Sequence, residues 1–379
     1  MKVMIVVTHL LGTGHLTRAA TLGRAFEGAG HSVSLMTGGL PVPKIDTGTM
    51  RVVQLPPLHS DGIDFATLLD DQHRPASAEL HAERQRMLVE TLEKDAPDLL
   101  ITELFPFGRR SLRQEFLKLL DAARGLKRPP LVAASIRDIL APPSRPEKAH
   151  ATDKLVRDYY DCVLVHSDPD ITPLDVSWPV TPMLRERLHY TGFVASDWAT
   201  PDAGRDGTGE IVVSAGGGAV GMPIFSASLA AAALDQTLRW RLLVGGHAAE
   251  ETCAALTRAA PDTAIVEQVR PDFRNLLHRA AASVSMCGYN TALDLLQAGT
   301  PAVLIPFDDG HEVEQSLRAA ALGRLEGIEV LASSDLSAEA LLRAVSTVRN
   351  APRRIPETGR FDGAAETVRH MAAMWAARQ

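Results

Sequence analysis

Short apolar runs alternate with stretches of helical period along almost the whole chain. The runs at 3–7, 32–36, 50–55, 98–102, 131–135, 162–166 and 189–193 are strand-length, and most lack the apolar/polar alternation of a half-exposed strand. They predict parallel strands, with helices between them at about 17–29 and 79–95. Residues 60–78 are polar without a clear period and read as a surface crossing. After a polar, Gly- and Pro-bearing interval at 196–209, the alternation restarts at 210–214 and continues at 241–244, 263–266, 283–286, 302–305 and 328–331. The pattern predicts two α/β domains in tandem: residues 1–195, a linker at 196–209, a second domain at 210–360, and a terminal helix within 361–379.

Composition narrows the function. A chain of 379 residues with 45% hydrophobic and 22% charged content is ordinary for two globular domains. A formal charge of −7 argues against nucleic-acid binding, which needs a basic face. Cys162, Cys253 and Cys287 lie far apart, so neither a disulfide framework nor a zinc site is indicated, and a reducing cytoplasm fits. The chain enters a strand at once after Met1-Lys2, unlike a signal peptide, and no apolar run reaches membrane-spanning length.

The densest chemistry lies between Met286 and Gln315. A strand ends at Met286, Gly288 makes a turn, and a helix opens near Asn290 and Thr291, so unpaired N–H groups and a positive dipole end suit an anion. Asp294, one turn on, can accept hydrogen bonds from vicinal hydroxyls such as those of a ribose. Glu314 and Gln315 follow the next strand with sugar-binding side chains. The same letters also describe a capped helix with a solvated acid in its first turn. A second Gly-rich turn, Gly216-Gly217-Gly218, follows the strand at 210–214 and reads either as a bend or as a cradle for a diphosphate. Its literal Gly-x-Gly-x-x-Gly lacks the acid on the next strand that a dinucleotide ribose needs, so NAD and FAD are rejected.

Near the N-terminus, Gly12-Thr13-Gly14-His15 leads to Arg18. Thr17 replaces the third glycine of a dinucleotide fingerprint, leaving a tight turn that brings His15 to the carboxyl end of the sheet. The imidazole suits a general base, and a lone histidine here also suits simple packing or capping at the helix start. A base of ordinary pKa would lose activity on acidification through about pH 6 to 7. Asp138 at a later strand end could orient that imidazole or cap a helix, and His166 and Asp168 should lie nearby. Phe105-Pro106-Phe107-Gly108-Arg109-Arg110 sets apolar rings beside two cations, which fits a peripheral membrane contact or a buried strand exit.

Together the Met286–Gln315 stretch and the two Gly-rich turns resemble GT-B glycosyltransferases of the family 28 type. That family includes the lipid-linked N-acetylglucosaminyltransferase of peptidoglycan synthesis and predicted glycosyltransferases with a Gly-Tyr-Asn-Thr turn. The resemblance implies two Rossmann-like parallel-sheet domains facing across a cleft, with a terminal helix returning to the first. It implies an inverting, metal-independent transfer from a nucleotide sugar, most naturally UDP-linked, to a hydroxyl acceptor, without a cofactor. Carried over by position, the donor would be held by Gly216, Gly217, Gly218, Val269, Gly288, Asn290, Thr291, Asp294, Glu314 and Gln315. Main-chain groups at Val269 would read the base, Gly12, Gly14 and Arg18 would face the acceptor, and His15 would be the general base. A nucleotide-sugar hydrolase of the same fold, with His15 activating water, is the alternative. The glycine run before His15 is shorter than in the peptidoglycan enzyme, and Asp294 stands where that enzyme has a Glu. A cytoplasmic site of action is implied, including the inner face of the membrane.

Overall fold

The computed structural model describes residues 1–43, 45–61, 67–195, 198, 204–217, 219–246, 248–308 and 313–379. The chain divides into two units, residues 1–196 with 359–379 and residues 197–358.

The first unit carries β1 (Lys2–Val7), β2 (Ser32–Thr37), β3 (Arg51–Gln54), β4 (Leu99–Glu103), β5 (Leu131–Arg137), β6 (Cys162–His166) and β7 (Leu188–Tyr190). They form one sheet in the order β3-β2-β1-β4-β5-β6-β7, each pair parallel. Val3, Ile5 and Val7 face one apolar layer with Leu16, Leu22 and Phe26, while Met4 and Val6 face the opposite layer with Leu88, Phe105 and Phe116. Burial on both faces is why β1 reads as an unbroken apolar run. Helices α1 (Gly14–Gly28), α2 (Ala78–Asp95), α3 (Arg113–Gly125), α4 (Pro146–Tyr159) and α5 (Pro182–Arg185) connect the strands.

The second unit repeats the plan with β8 (Ile211–Gly217), β9 (Trp240–Gly245), β10 (Ala264–Gln268), β11 (Ala282–Ser285), β12 (Ala302–Leu304) and β13 (Ile328–Val330). Their order is β10-β9-β8-β11-β12-β13. Its helices are α6 (Met222–Leu234), α7 (Ala249–Ala259), α8 (Phe273–Arg279), α9 (Tyr289–Ala298), α10 (Glu314–Leu322) and α11 (Ala338–Val348). Part of the sequence-predicted linker, residues 196–197 and 199–203, lies outside the described residues. Its later part is held to the second unit, where Asp206 accepts from Arg270 at 2.7 Å. The final helix, α12 (Gly363–Ala377), belongs to the first unit and packs on α1. There Met371 is fully buried, with its Sδ 3.7 Å from the Cys162 Sγ.

The strands predicted from the apolar runs are all present, some ends shifted by a few residues. One helix boundary matters for chemistry. Helix α1 begins at Gly14, not near Thr17, because the Thr17 N–H already donates to the Thr13 carbonyl at 2.8 Å. His15 and Arg18 therefore project from the first turn of a helix. In both sheets the strand order reverses between the first and fourth strands in sequence, β1/β4 and β8/β11, and such switch points are where open α/β sheets hold ligands.

The loops after β1 and β2 are fixed by a fully buried ion pair. Arg84 of α2 donates to Glu115 of α3 through Nε at 2.7 Å and Nη2 at 2.8 Å, and also to the Gly38 carbonyl at 2.9 Å and Thr8 Oγ1 at 3.2 Å. Removing the carboxylate would leave a buried, uncompensated guanidinium. Glu115→Ala should therefore lower stability by about 3–5 kcal/mol in chemical denaturation. A loss below about 1 kcal/mol, the scale of an exposed pair, would contradict this account.

Candidate functional site

At the first switch point, the end of β4 delivers Glu103, 2% exposed, beneath the first turn of α1. Its Oε1 accepts from His15 Nδ1 at 2.8 Å and from Arg18 Nη2, and its Oε2 accepts from the Ser135 hydroxyl at 2.6 Å. Ser135 lies 3.0 Å from His166 Nε2, and His166 Nδ1 lies 2.9 Å from the Thr191 hydroxyl. A chain of polar groups thus crosses the carboxyl ends of β4, β5 and β6.

An ionised carboxylate can only accept, so His15 Nδ1 must carry the proton, leaving the lone pair of the neutral ring on Nε2. Ser135 donates to Glu103 and so receives from His166 Nε2–H, which leaves Nδ1 as the unprotonated nitrogen of the neutral ring. Burial pushes His15 down to about 3 against the opposing Glu103 hydrogen bond. It pushes His166 down to about 3 as well. Burial alone would raise the Glu103 carboxyl, but the Arg18 charge and the His15 and Ser135 hydrogen bonds hold it well below the usual carboxylate range.

Several sequence expectations change here. The carboxylate that orients His15 is Glu103, not Asp138, which is buried just beyond the end of β5. Glu103 could have been noticed as an acid closing an apolar strand. His166 is fully buried and cannot meet a substrate. Asp168 pairs instead with Arg360, just ahead of α12. Phe105 stacks on Phe116 with centroids 4.5 Å apart, and Phe107 meets Trp178 edge-on at 5.2 Å. Both rings are core, so this motif offers no apolar surface to a membrane.

The two glycines of the turn differ in cause. Gly12 has φ +63°, which favours glycine outright. Gly14 has no such torsion, and a methyl placed on it would meet nothing within 4 Å. Helix α1 has no side-chain cap and no acid in its first turn.

At the second switch point, β8 runs through Gly216 and Gly217 and β11 leads to Gly288. Gly218 lies outside the described residues. Gly288 is the N-cap of α9 with φ −64°, and a methyl there would again meet nothing within 4 Å. Asn290, exposed, and Thr291, half-buried, sit within the first turn. Neither caps α9, contrary to the plain structural reading of these letters. Asp294 is half-buried, and among the described residues no hydrogen bond reaches its carboxylate. Burial pushes it up to about 6 despite the opposing charge of Arg274.

The remaining positions contribute differently. Gln315 Oε1 accepts from the N–H groups of Cys287 at 3.0 Å and Phe307 at 3.2 Å, so its carbonyl ties together the loops after β11 and β12. Only its amide N–H₂ is left for a ligand. Arg318, missed in the sequence, donates to the Cys287 carbonyl at 2.9 Å and supports the same turn. Glu314 opens α10, half-buried. The Val269 N–H donates to the Val244 carbonyl at 2.9 Å, so main-chain recognition there would fall to its carbonyl oxygen.

Comparison with known proteins agrees with this architecture. Residues 215–371 match the glycosyltransferase family 28 C-terminal domain. The UDP-N-acetylglucosamine–N-acetylmuramyl-(pentapeptide) pyrophosphoryl-undecaprenol N-acetylglucosamine transferase of Brucella anthropi is 33% identical over 144 residues, 37% of this chain and 38% of that protein. The chain thus spans about two-fifths of the length of the curated relatives it matches. The crystal structure of Acinetobacter baumannii MurG superposes with a TM-score of 0.59 at 13% identity, covering 100% of this chain and 99% of that one. Glycosyltransferase VinC in complex with dTDP gives 0.59 at 16% identity over 100% of both chains. The chain has the GT-B fold, two doubly wound parallel-sheet units in tandem. Within that class, the family likeness is confined to segment 215–371, which is similar to the glycosyltransferase family 28 C-terminal domain.

The buried polar chain makes the fold acid-sensitive. His15 and His166 hold folded pKa values near 3 against about 6.5 when unfolded. The unfolded chain therefore binds protons that the native one refuses, and stability should fall as pH drops from about 6.5 toward 3. Glu103, depressed in the fold, adds a loss of the same sign at the lower end of that window. Urea denaturation at pH 7.5 and pH 5 should differ by a few kcal/mol, an order-of-magnitude figure. Equal stability at the two values would show that neither imidazole is buried neutral.

Proposed function

We propose that this chain is a glycosyltransferase that moves a sugar from a nucleotide-sugar donor, UDP-linked as in the names of its Brucella relatives, to a hydroxyl acceptor with inversion. The observation that carries this reading is the neutral imidazole of His15, fixed through Nδ1 by buried Glu103 so that Nε2 can take a proton. Glycosyl transfer to a hydroxyl needs such a base. Glu103 and Arg18 orient it, and Ser135 and His166 position Glu103.

The second unit would hold the donor. Asp294, a partly desolvated carboxylate without a hydrogen bond among the described residues, suits the two ribose hydroxyls. The uncapped start of α9 at Gly288, with Asn290 and Thr291, suits the diphosphate, joined by Gly216 and Gly217 at the end of β8. Helix dipole and N–H groups there would stabilise the leaving diphosphate without a metal. The amide of Gln315 and the carboxylate of Glu314 would read the sugar, and the Val269 carbonyl the base.

His15→Ala should keep UDP affinity in calorimetry and lower turnover by roughly two to four orders of magnitude, whereas Asp294→Ala should weaken UDP by about 1–3 kcal/mol. A folded His15→Ala chain turning over within about threefold of wild type, far short of a base's usual worth, would remove the base assignment. The expected loss of activity through pH 6 to 7 is revised by the structure. With His15 near 3 the base stays neutral across that range, so kcat should be flat. Protonation of Asp294 near 6 should instead raise the donor KM on acidification. A kcat that titrates near 6.5 with constant KM would reverse both roles.

Activity should also survive EDTA, and its loss with recovery on adding Mg²⁺ or Mn²⁺ would reject the helix-based diphosphate site. In the same assay, stoichiometric release of UDP and free sugar without any acceptor would make the chain a nucleotide-sugar hydrolase.

A further inference from the structure

The residue ahead of Gly288 is held at both of its main-chain groups by one helix. Gln315, in the first turn of α10, accepts from the Cys287 N–H at 3.0 Å. Arg318, three residues on and so on the same face, donates to the Cys287 carbonyl through Nη1 at 2.9 Å. Arg318 is 2% exposed, and its guanidinium carbon lies 5.8 Å from the centre of the Tyr289 ring. Its contacts thus fall on both neighbours of Gly288.

The carbonyl that Arg318 holds and the N–H of Gly288 belong to the same peptide group. That peptide is trans, and a planar trans peptide points its carbonyl and its N–H in opposite directions. Drawing the oxygen toward the buried guanidinium therefore turns the Gly288 N–H away from it. Guanidinium stays charged in proteins, and a carbonyl that accepts from a cation is polarised, which strengthens the N–H of that peptide as a donor. Among the described residues, nothing accepts from the Gly288 N–H. The chain has aligned a donor that it does not itself use. Gly288 is half-buried at the N-cap of α9, in whose second turn Asp294 also lacks a hydrogen bond among the described residues.

We propose that Arg318 is a positioning residue: through the Cys287–Gly288 peptide it sets the direction and strength of the Gly288 N–H as a donor to the diphosphate of the nucleotide sugar. The diphosphate half of this proposal rests on the donor reading of the second unit; the alignment of the peptide does not.

The test uses the full chain, isotope-labelled at glycine, with UDP and uridine as probes. Uridine carries the base and ribose without phosphate, so it separates contacts to the diphosphate from the rest. Arg318→Met, an unbranched side chain of similar length, should move the Gly288 amide resonance with no ligand present and leave the Gly14 amide of the first unit in place. It should weaken UDP by about tenfold or more, the worth of a hydrogen bond to an anion, while uridine stays within about twofold of wild type. Arg318→Lys, which returns a cationic donor, should recover most of the UDP loss. Thermal melts verify the folds, and if Arg318→Met does not fold, Arg318→Gln, polar but uncharged, is read in its place. The proposal is overturned if the Gly288 amide does not move, or if the folded variant binds UDP within about twofold of wild type, short of one hydrogen bond to an anion. It is equally overturned if UDP and uridine weaken together, which would make Arg318 a support of the fold alone. If the wild-type chain binds neither probe, the donor reading of the second unit falls with the diphosphate half of the proposal, and the Gly288 resonance decides the other half.

Discussion

Burying an ionised carboxylate requires that its lone pairs be filled, and the first unit is arranged to do that for Glu103. One helix turn supplies His15 and Arg18, β5 supplies Ser135, and β6 supplies His166 behind it. Because a buried charge left short of donors is expensive, each partner is held in one orientation. The tautomer of His15 follows from this. The free lone pair at Nε2 is thus a consequence of satisfying Glu103, and the low proton affinity of the ring is a consequence of burying the group that satisfies it.

Asp294 presents the opposite case in the second unit. It too is removed from water, but no donor among the described residues meets it, and its proton affinity rises where that of Glu103 falls. Two carboxylates at equivalent switch points therefore differ in what completes them: protein donors meet Glu103, and none among the described residues meets Asp294. A polar group left incomplete within an otherwise satisfied fold is a better sign of a binding role than residue type alone.

The glycines separate along similar lines. Gly12 is required by its own torsion, and Gly299 by a left-handed torsion together with the Arg354 carbonyl, which would lie 2.0 Å from a methyl. Neither reason applies to Gly14 or Gly288, where a side chain would meet only open space at the start of a helix. Those two positions are open for whatever approaches from outside the chain.

The sequence alone determined the two-unit α/β architecture, because strands buried on both faces must be continuous apolar runs and their alternation with helices admits few topologies. It also located Gly288, Asn290, Thr291 and Asp294 together, since they belong to one strand-to-helix turn and local spacing fixes their proximity. What it did not determine was any pairing across strands. Glu103 lies 88 residues from His15, and only the strand order, which places β4 beside β1, brings them into contact. The same reason explains why Glu103 and not Asp138 meets His15, why Phe105 and Phe107 are core, and why the imidazole expected near its ordinary pKa is neutral well below it. Those outcomes depend on burial and on partners from distant segments, which tertiary packing decides and local pattern does not encode.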